Sequence, residues 1–125
     1  MPNGSLTPAT TYPALVGNVL AQLRAQHGLH QGNLAAATGV TQATWSRIEN
    51  GQTNITVEHL SVAARAFGRS PGEILSLADH TATMMQFSGV EVVPKRDDEK
   101  LKSALILIGA IALTAFVTAA IAKAA

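Results

Sequence analysis

The sequence predicts an all-α protein, with five short helices in an N-terminal domain and one apolar helix at the C-terminal end. Three observations carry this expectation. Apolar residues recur at helical spacing through most of 13–78, capping and stopping residues punctuate that run, and the stretch 103–122 holds no charged side chain. The chain divides accordingly into a flexible arm over 1–12, a helical domain over 13–78, a linker over 79–100 and a transmembrane helix over 101–123. Its 125 residues allow one small domain beside such a span, and the mean hydropathy of +0.21 fits that division.

The arm is rich in Pro, Thr, Ser and Gly and lacks periodicity, so it is expected to be mobile. From Pro13 the pattern becomes helical. Leu15, Val16, Val19, Leu20 and Leu23 form one stripe of a first helix over about 14–27, opened by Pro13 and closed near Gly28. A second helix runs over 31–38 and ends at Gly39, where a left-handed residue favours glycine. Thr41 caps a third over 42–50, which Gly51 stops. Thr56 caps a fourth over 57–67, with Val57, Leu60, Ala64 and Phe67 on its inner face. Ser70-Pro71-Gly72-Glu73 is a capping box with Pro at the first helical position, opening a fifth helix to about Leu77. In the linker, His80–Phe87 reads as a weak helix, and Val90–Val93 as a short strand able to pair with a second copy.

The uncharged stretch 103–122 is long enough, at about 20 residues, to cross a hydrocarbon core of about 30 Å, and it is apolar on every face. Lys95, Arg96, Lys100 and Lys102 precede it and only Lys123 follows. The expected topology is therefore a single pass through the inner (cytoplasmic) membrane, with the N-terminal part cytoplasmic and the lipid bilayer as partner. Ala110, Thr114, Thr118 and Ala122 recur every fourth residue, a ridge along which two spans can pack into a homodimer.

Several chemistries are excluded. With no cysteine there is neither a disulfide framework nor a thiolate zinc site, in agreement with a reducing cytoplasm. His27, His30, His59 and His80 lack carboxylate partners at ligand spacing, and no nucleophile triad, phosphate loop or paired-acid motif occurs. No catalytic residue, metal or cofactor is expected. The net charge is only +1, and between 13 and 78 the cations Arg24, Arg47, Arg65 and Arg69 face Glu49, Glu58 and Glu73. That is a weak electrostatic footprint for nucleic acid.

Two helices joined by Gly39-Val40-Thr41 make a helix-turn-helix. The stretch 24–51, with Leu34-Ala35, Gly39-Val40-Thr41 and Ser46-Arg47-Ile48-Glu49-Asn50-Gly51 at characteristic spacings, resembles the Cro/XRE-type, phage-repressor family. The likeness covers about 15–77 and implies a five-helix Cro/repressor-like domain. Ala35 is small because the second and third helices cross closely there, while Leu34, Val40 and Ile48 fill their shared core. The resemblance implies an ion pair between Arg24 and Glu49. Trp45 departs from the family pattern, where a smaller β-branched residue is usual, and reads chiefly as an oversized core side chain, the second reading being an exposed aromatic.

The resemblance further implies that the third helix enters the major groove of double-stranded DNA. Its outward positions are Gln42, Ala43, Thr44, Ser46, Arg47 and Asn50. Gln reads adenine bidentately, Ala and the Thr methyl contact thymine, and Arg reads guanine or holds phosphate. Gln31 matches the family position that contacts phosphate and braces the first residue of the third helix, here Gln42, and Asn54 adds a backbone contact. The resulting expectation is a membrane-tethered, sequence-specific transcriptional regulator. A second reading stays open, because cell-shape proteins of the RodZ type also join such a domain to a single span and use it to bind a cytoplasmic protein partner.

Overall fold

The computed structural model describes residues 7–95, 105–107 and 110–124. Their order is β1 (Thr7–Thr11), α1 (Tyr12–Gln26), α2 (Gln31–Thr38), α3 (Gln42–Glu49), α4 (Val57–Ala66), α5 (Pro71–Phe87), β2 (Glu91–Val93), β3 (Leu105–Leu107) and α6 (Ala110–Ala124). Helices dominate, as expected, with a small parallel sheet added to them. Helix α1 is the hub: Leu15, Val19, Leu20 and Leu23 are fully buried, and α3, α5, α6 and β1 all pack against it.

Four of the first five helices start on a hydroxyl cap. Thr11 Oγ1 accepts from the Ala14 amide at 3.1 Å, Thr41 Oγ1 from Thr44 at 3.1 Å and Thr56 Oγ1 from His59 at 3.0 Å. Ser70 and Glu73 exchange bonds of 3.2 and 3.0 Å in the expected capping box. Caps of this kind contribute about 1 kcal/mol each by satisfying amides that have no partner within the helix.

The sheet was not in the all-α expectation. Its order is β2-β1-β3, both pairs parallel, with Ala9 opposite Glu91 and Thr7 opposite Leu105. The described part of the arm, 7–11, is thus a strand, and within the 90–93 stretch Glu91–Val93 forms a strand that pairs with it in the same chain. Thr10 and Thr11 are β-branched and buried, which suits a paired strand. Helix α5 also continues past Leu77 to Phe87. Its buried stripe runs on from Ile74 and Leu77 through Ala78, Thr81, Ala82 and Met85, and Thr81 Oγ1 returns its proton to the Leu77 carbonyl at 2.8 Å. The weak helix read at His80–Phe87 is the second half of α5.

The C-terminal stretch differs most from the expectation where it is described; of the span read over 101–123, residues 101–104, 108 and 109 lie outside the described residues. Its described residues form a strand and then a 15-residue helix, α6, which at about 1.5 Å per residue spans about 22 Å, short of a hydrocarbon core. Among the described residues no helix is long and apolar enough to cross a membrane. Leu113, Val117, Ala120 and Ile121 are buried where α6 lies on α1 and α5. Their spacing is that of an amphipathic helix whose outer face is Ala and Thr instead of charge. The ridge assigned to dimerisation is used within the chain: Asn18 Nδ2 donates to Thr114 Oγ1 at 3.2 Å, Gln22 Nε2 to the Thr114 carbonyl at 2.9 Å, and Thr118 Oγ1 to Gln22 Oε1 at 2.8 Å. Neither the bilayer nor a dimer through this helix finds support in that packing.

Candidate nucleic-acid interface

Helix α3 is held in place by a buried carboxylate. Glu49 lies at its C-terminal end, and its side chain is 4% exposed. Four N–H groups converge on it: Arg24 Nε at 2.6 Å and Nη2 at 3.1 Å, Trp45 Nε1 at 2.6 Å and Gln31 Nε2 at 2.9 Å. Arg24 Nη1 donates on to the Leu29 carbonyl at 3.0 Å, so the guanidinium also clamps the α1–α2 turn. A buried ion pair contributes little net energy against its desolvation, but losing one partner is costly, which makes this network a device for fixing orientation. It ties α1, α2 and α3 together through one side chain.

Backbone contact supplies the second constraint. Gly17 of α1 lies so close to α3 that a Cβ there would stand 2.3 Å from the Ile48 carbonyl oxygen. Just beyond α3, Gly51 adopts φ +74°, and a Cβ on it would stand 2.6 Å from the Ala14 Cα. Both positions require glycine: Gly17 for space, Gly51 for space and for its left-handed backbone. With Trp45 fully buried and Ile48 3% exposed, the inner face of α3 is fixed along its length. Trp45 is the oversized core side chain of the first reading, and its indole N–H has a use that apolar patterning does not reveal.

The outer face is thereby set. Gln42, Ala43, Arg47 and Asn50 are exposed, Thr44 and Ser46 are half-buried, and Asn54 is exposed on the α3–α4 loop. Gly39 at φ 78° turns the chain between α2 and α3. Gln42 Oε1 lies 3.9 Å from the point where a Cβ of Gly32 would stand, which puts that amide beside the first turn of α2. The Thr44 hydroxyl accepts from Thr41 Oγ1 at 3.0 Å. Gln31, half-buried at the start of α2, donates an amide N–H to Glu49 and so braces α3 through that carboxylate. The Arg24–Glu49 pair stands as the resemblance implied. Sequence reasoning missed Gly17, whose signal was a glycine inside an otherwise unbroken helical stripe.

Comparisons with known proteins place this geometry. The helix-turn-helix family model matches residues 20–74. The uncharacterized HTH-type transcriptional regulator y4dJ of Sinorhizobium fredii is 39% identical over 67 residues, which span 54% of this chain and 87% of that protein. Among solved structures, the clp gene regulator ClgR of Corynebacterium glutamicum superposes with a TM-score of 0.58 at 25% identity, over 62% of this chain and 82% of that one. A mutant of the restriction-modification controller protein C.Esp1396I shares the fold at a TM-score of 0.53 and 19% identity, over 58% of this chain and 95% of that one. The chain belongs to the Cro/XRE-type helix-turn-helix family.

Proposed function

We propose that this protein is a transcriptional regulator that binds DNA sequence-specifically, laying α3 in the major groove. The observation that carries the reading is the two-sided character of α3. Its inner face is locked by the Glu49 network and the Gly17 contact, while Gln42, Ala43, Thr44, Arg47 and Asn50 form a polar and small-residue row outside. Gln42 and Arg47 are the base readers, through bidentate bonds to adenine and guanine; Ala43 and Thr44 meet thymine methyls, and Ser46, Asn50 and Asn54 reach the backbone. Kinship with an HTH-type transcriptional regulator and likeness to a clp gene regulator support regulation over catalysis and over the adaptor reading. Gln31 acts indirectly, by holding Glu49.

The test is selection of a preferred duplex from a random library, followed by titration at two salt concentrations. Arg47→Ala and Gln42→Ala are expected to lose about 1–3 kcal/mol at the preferred site with unchanged thermal stability. Binding without sequence preference and without salt dependence refutes the reading.

A further inference from the structure

A cavity of about 510 Å³ opens beside the C-terminal end of α3. Val16 and Gly17 of α1, Ile48 of α3, Ile55 of the α3–α4 loop, Leu60 of α4 and Leu75 of α5 form its walls. Among the described residues only three large apolar side chains are exposed, and two of them, Val57 at 81% and Leu75 at 40%, border this cavity. Its size falls within the range of about 300–1,000 Å³ that small-molecule sites occupy. Its chemistry is one-sided: among the described residues no Asp, Glu, Lys, Arg or His lines it, and the polar side chains present are those of Tyr12, Thr53 and Asn54.

That lining selects its occupant. An ionised ligand would give up its hydration without a counter-charge, at a cost of several kcal/mol, whereas an apolar one gains for every apolar surface it covers. Thr53 and Asn54 together supply donors and acceptors from the same loop, enough to orient one polar group. The walls matter as much. Ile48 belongs to α3, Gly17 is the backbone on which α3 rests, and Asn54 is among the residues assigned to DNA. A molecule packed here touches the end of α3 and the loop that follows it.

We propose that this cavity binds an uncharged, largely apolar small molecule with one hydrogen-bonding group, and that binding tightens the grip on DNA by holding the α3–α4 loop, with Asn54, in the reading position. The coupling rests on the DNA-binding reading, while the site itself does not. Coupling is reciprocal, so DNA tightens the ligand by the same factor, about tenfold for an effect of ordinary size.

The experiment titrates the full chain with N-phenylnaphthylamine, a neutral bicyclic fluorophore with one N–H donor, and in parallel with its anionic relative anilinonaphthalene sulfonate. Saturable binding of the neutral probe, at least about tenfold tighter than the anionic one, is expected from a lining without charge. Thr53→Asp, which puts a carboxylate in the wall, and Leu75→Trp, which fills the mouth from an exposed position, should each weaken the neutral probe about tenfold with helical circular dichroism retained. At saturating probe, affinity for the selected duplex should rise about tenfold in the wild type and not in Leu75→Trp. No saturable binding, equal binding of the anionic probe, or DNA affinity that ignores the probe overturns the proposal. Charge-selective probe binding by a chain that binds no duplex overturns the DNA reading and the coupling but supports the site. A dimer seen by sedimentation without probe, and lost in Leu75→Trp, assigns the groove to a second copy and overturns the ligand.

Discussion

Helix α1 carries α3 on one side and α6 on another, and the two contacts are built from opposite materials. Against α3, α1 offers a glycine in backbone contact and an arginine bound bidentately to a buried carboxylate. Against α6 it offers apolar side chains, with Asn18 and Gln22 bonding threonines at an exposed edge. The first contact tolerates one geometry only, because a displaced Glu49 strands several donors at once. The second is an apolar seam that can shift by small amounts at little cost. A reading helix needs the first kind of support, since base recognition fails when its side chains are misplaced by an ångström or so, whereas a covering helix needs only the second.

The sharpest way to break this comparison is Glu49→Ala. Removing the carboxylate leaves Arg24 as a half-buried charge without its counter-ion and the buried Trp45 indole N–H without its acceptor, and a loss of about 3 kcal/mol is expected in urea denaturation. Replacing Arg24 and Glu49 together by Met should recover the part due to the stranded charge and leave the cost of the Trp45 indole N–H without its acceptor; no recovery would mean that the ion pair itself contributes energy and not only orientation. Gly17→Ala comes next, at about 1–3 kcal/mol, because its methyl would push α1 off the Ile48 carbonyl. Affinity for the selected duplex should fall with it, as read by fluorescence anisotropy.

On the other side, Val117→Ala opens a small cavity under α6 at a cost of about 1–2 kcal/mol. Hydrogen exchange should accelerate in α6 and stay unchanged in α3, with DNA affinity within about twofold of wild type; a matching change in α3 would mean that the two contacts act as one. Thr118→Ala, which removes one exposed bond to Gln22, should cost no more than about 1 kcal/mol. The smallest effect at neutral pH belongs to Tyr12, whose hydroxyl donates to Asp79 of α5. Burial first, then the hydrogen bond and the charge of Asp79, raise the Tyr12 phenol above its usual value. The raised value favours the neutral phenol in the folded state, so its contribution is complete below about pH 10 and is lost as the pH climbs towards the raised value. Tyr12→Phe should flatten that alkaline decline in a series of thermal melts.

Legibility followed the range of the interactions. The caps at Thr41, Thr56 and Ser70 and the turn at Gly39 were readable because each is decided within four residues. The outward row of α3 followed from the family resemblance and the same local geometry. The sheet was hidden because β1 pairs with strands about 80 to 100 residues away, and a Thr-rich segment reads as loose chain until its partner is known. The bond from Gln31 to Glu49 was hidden because a polar side chain beside a helix start serves a phosphate or a buried acid equally well until the position of Glu49 is known.

By itself the sequence determined the helix-turn-helix, its caps and the outward face of α3, because short-range hydrogen bonding and a 3.6-residue period are written into neighbouring residues. Only the tertiary structure decided the fate of the C-terminal stretch. A run of Ala, Thr, Leu, Ile and Val is equally apolar whether lipid or protein surrounds it. The side that is buried became defined when α1 and α5 presented a surface for Leu113, Val117 and Ile121 to cover, with Asn18 and Gln22 placed to meet the threonines. Hydrophobicity has no direction of its own, and the packing partner supplies it.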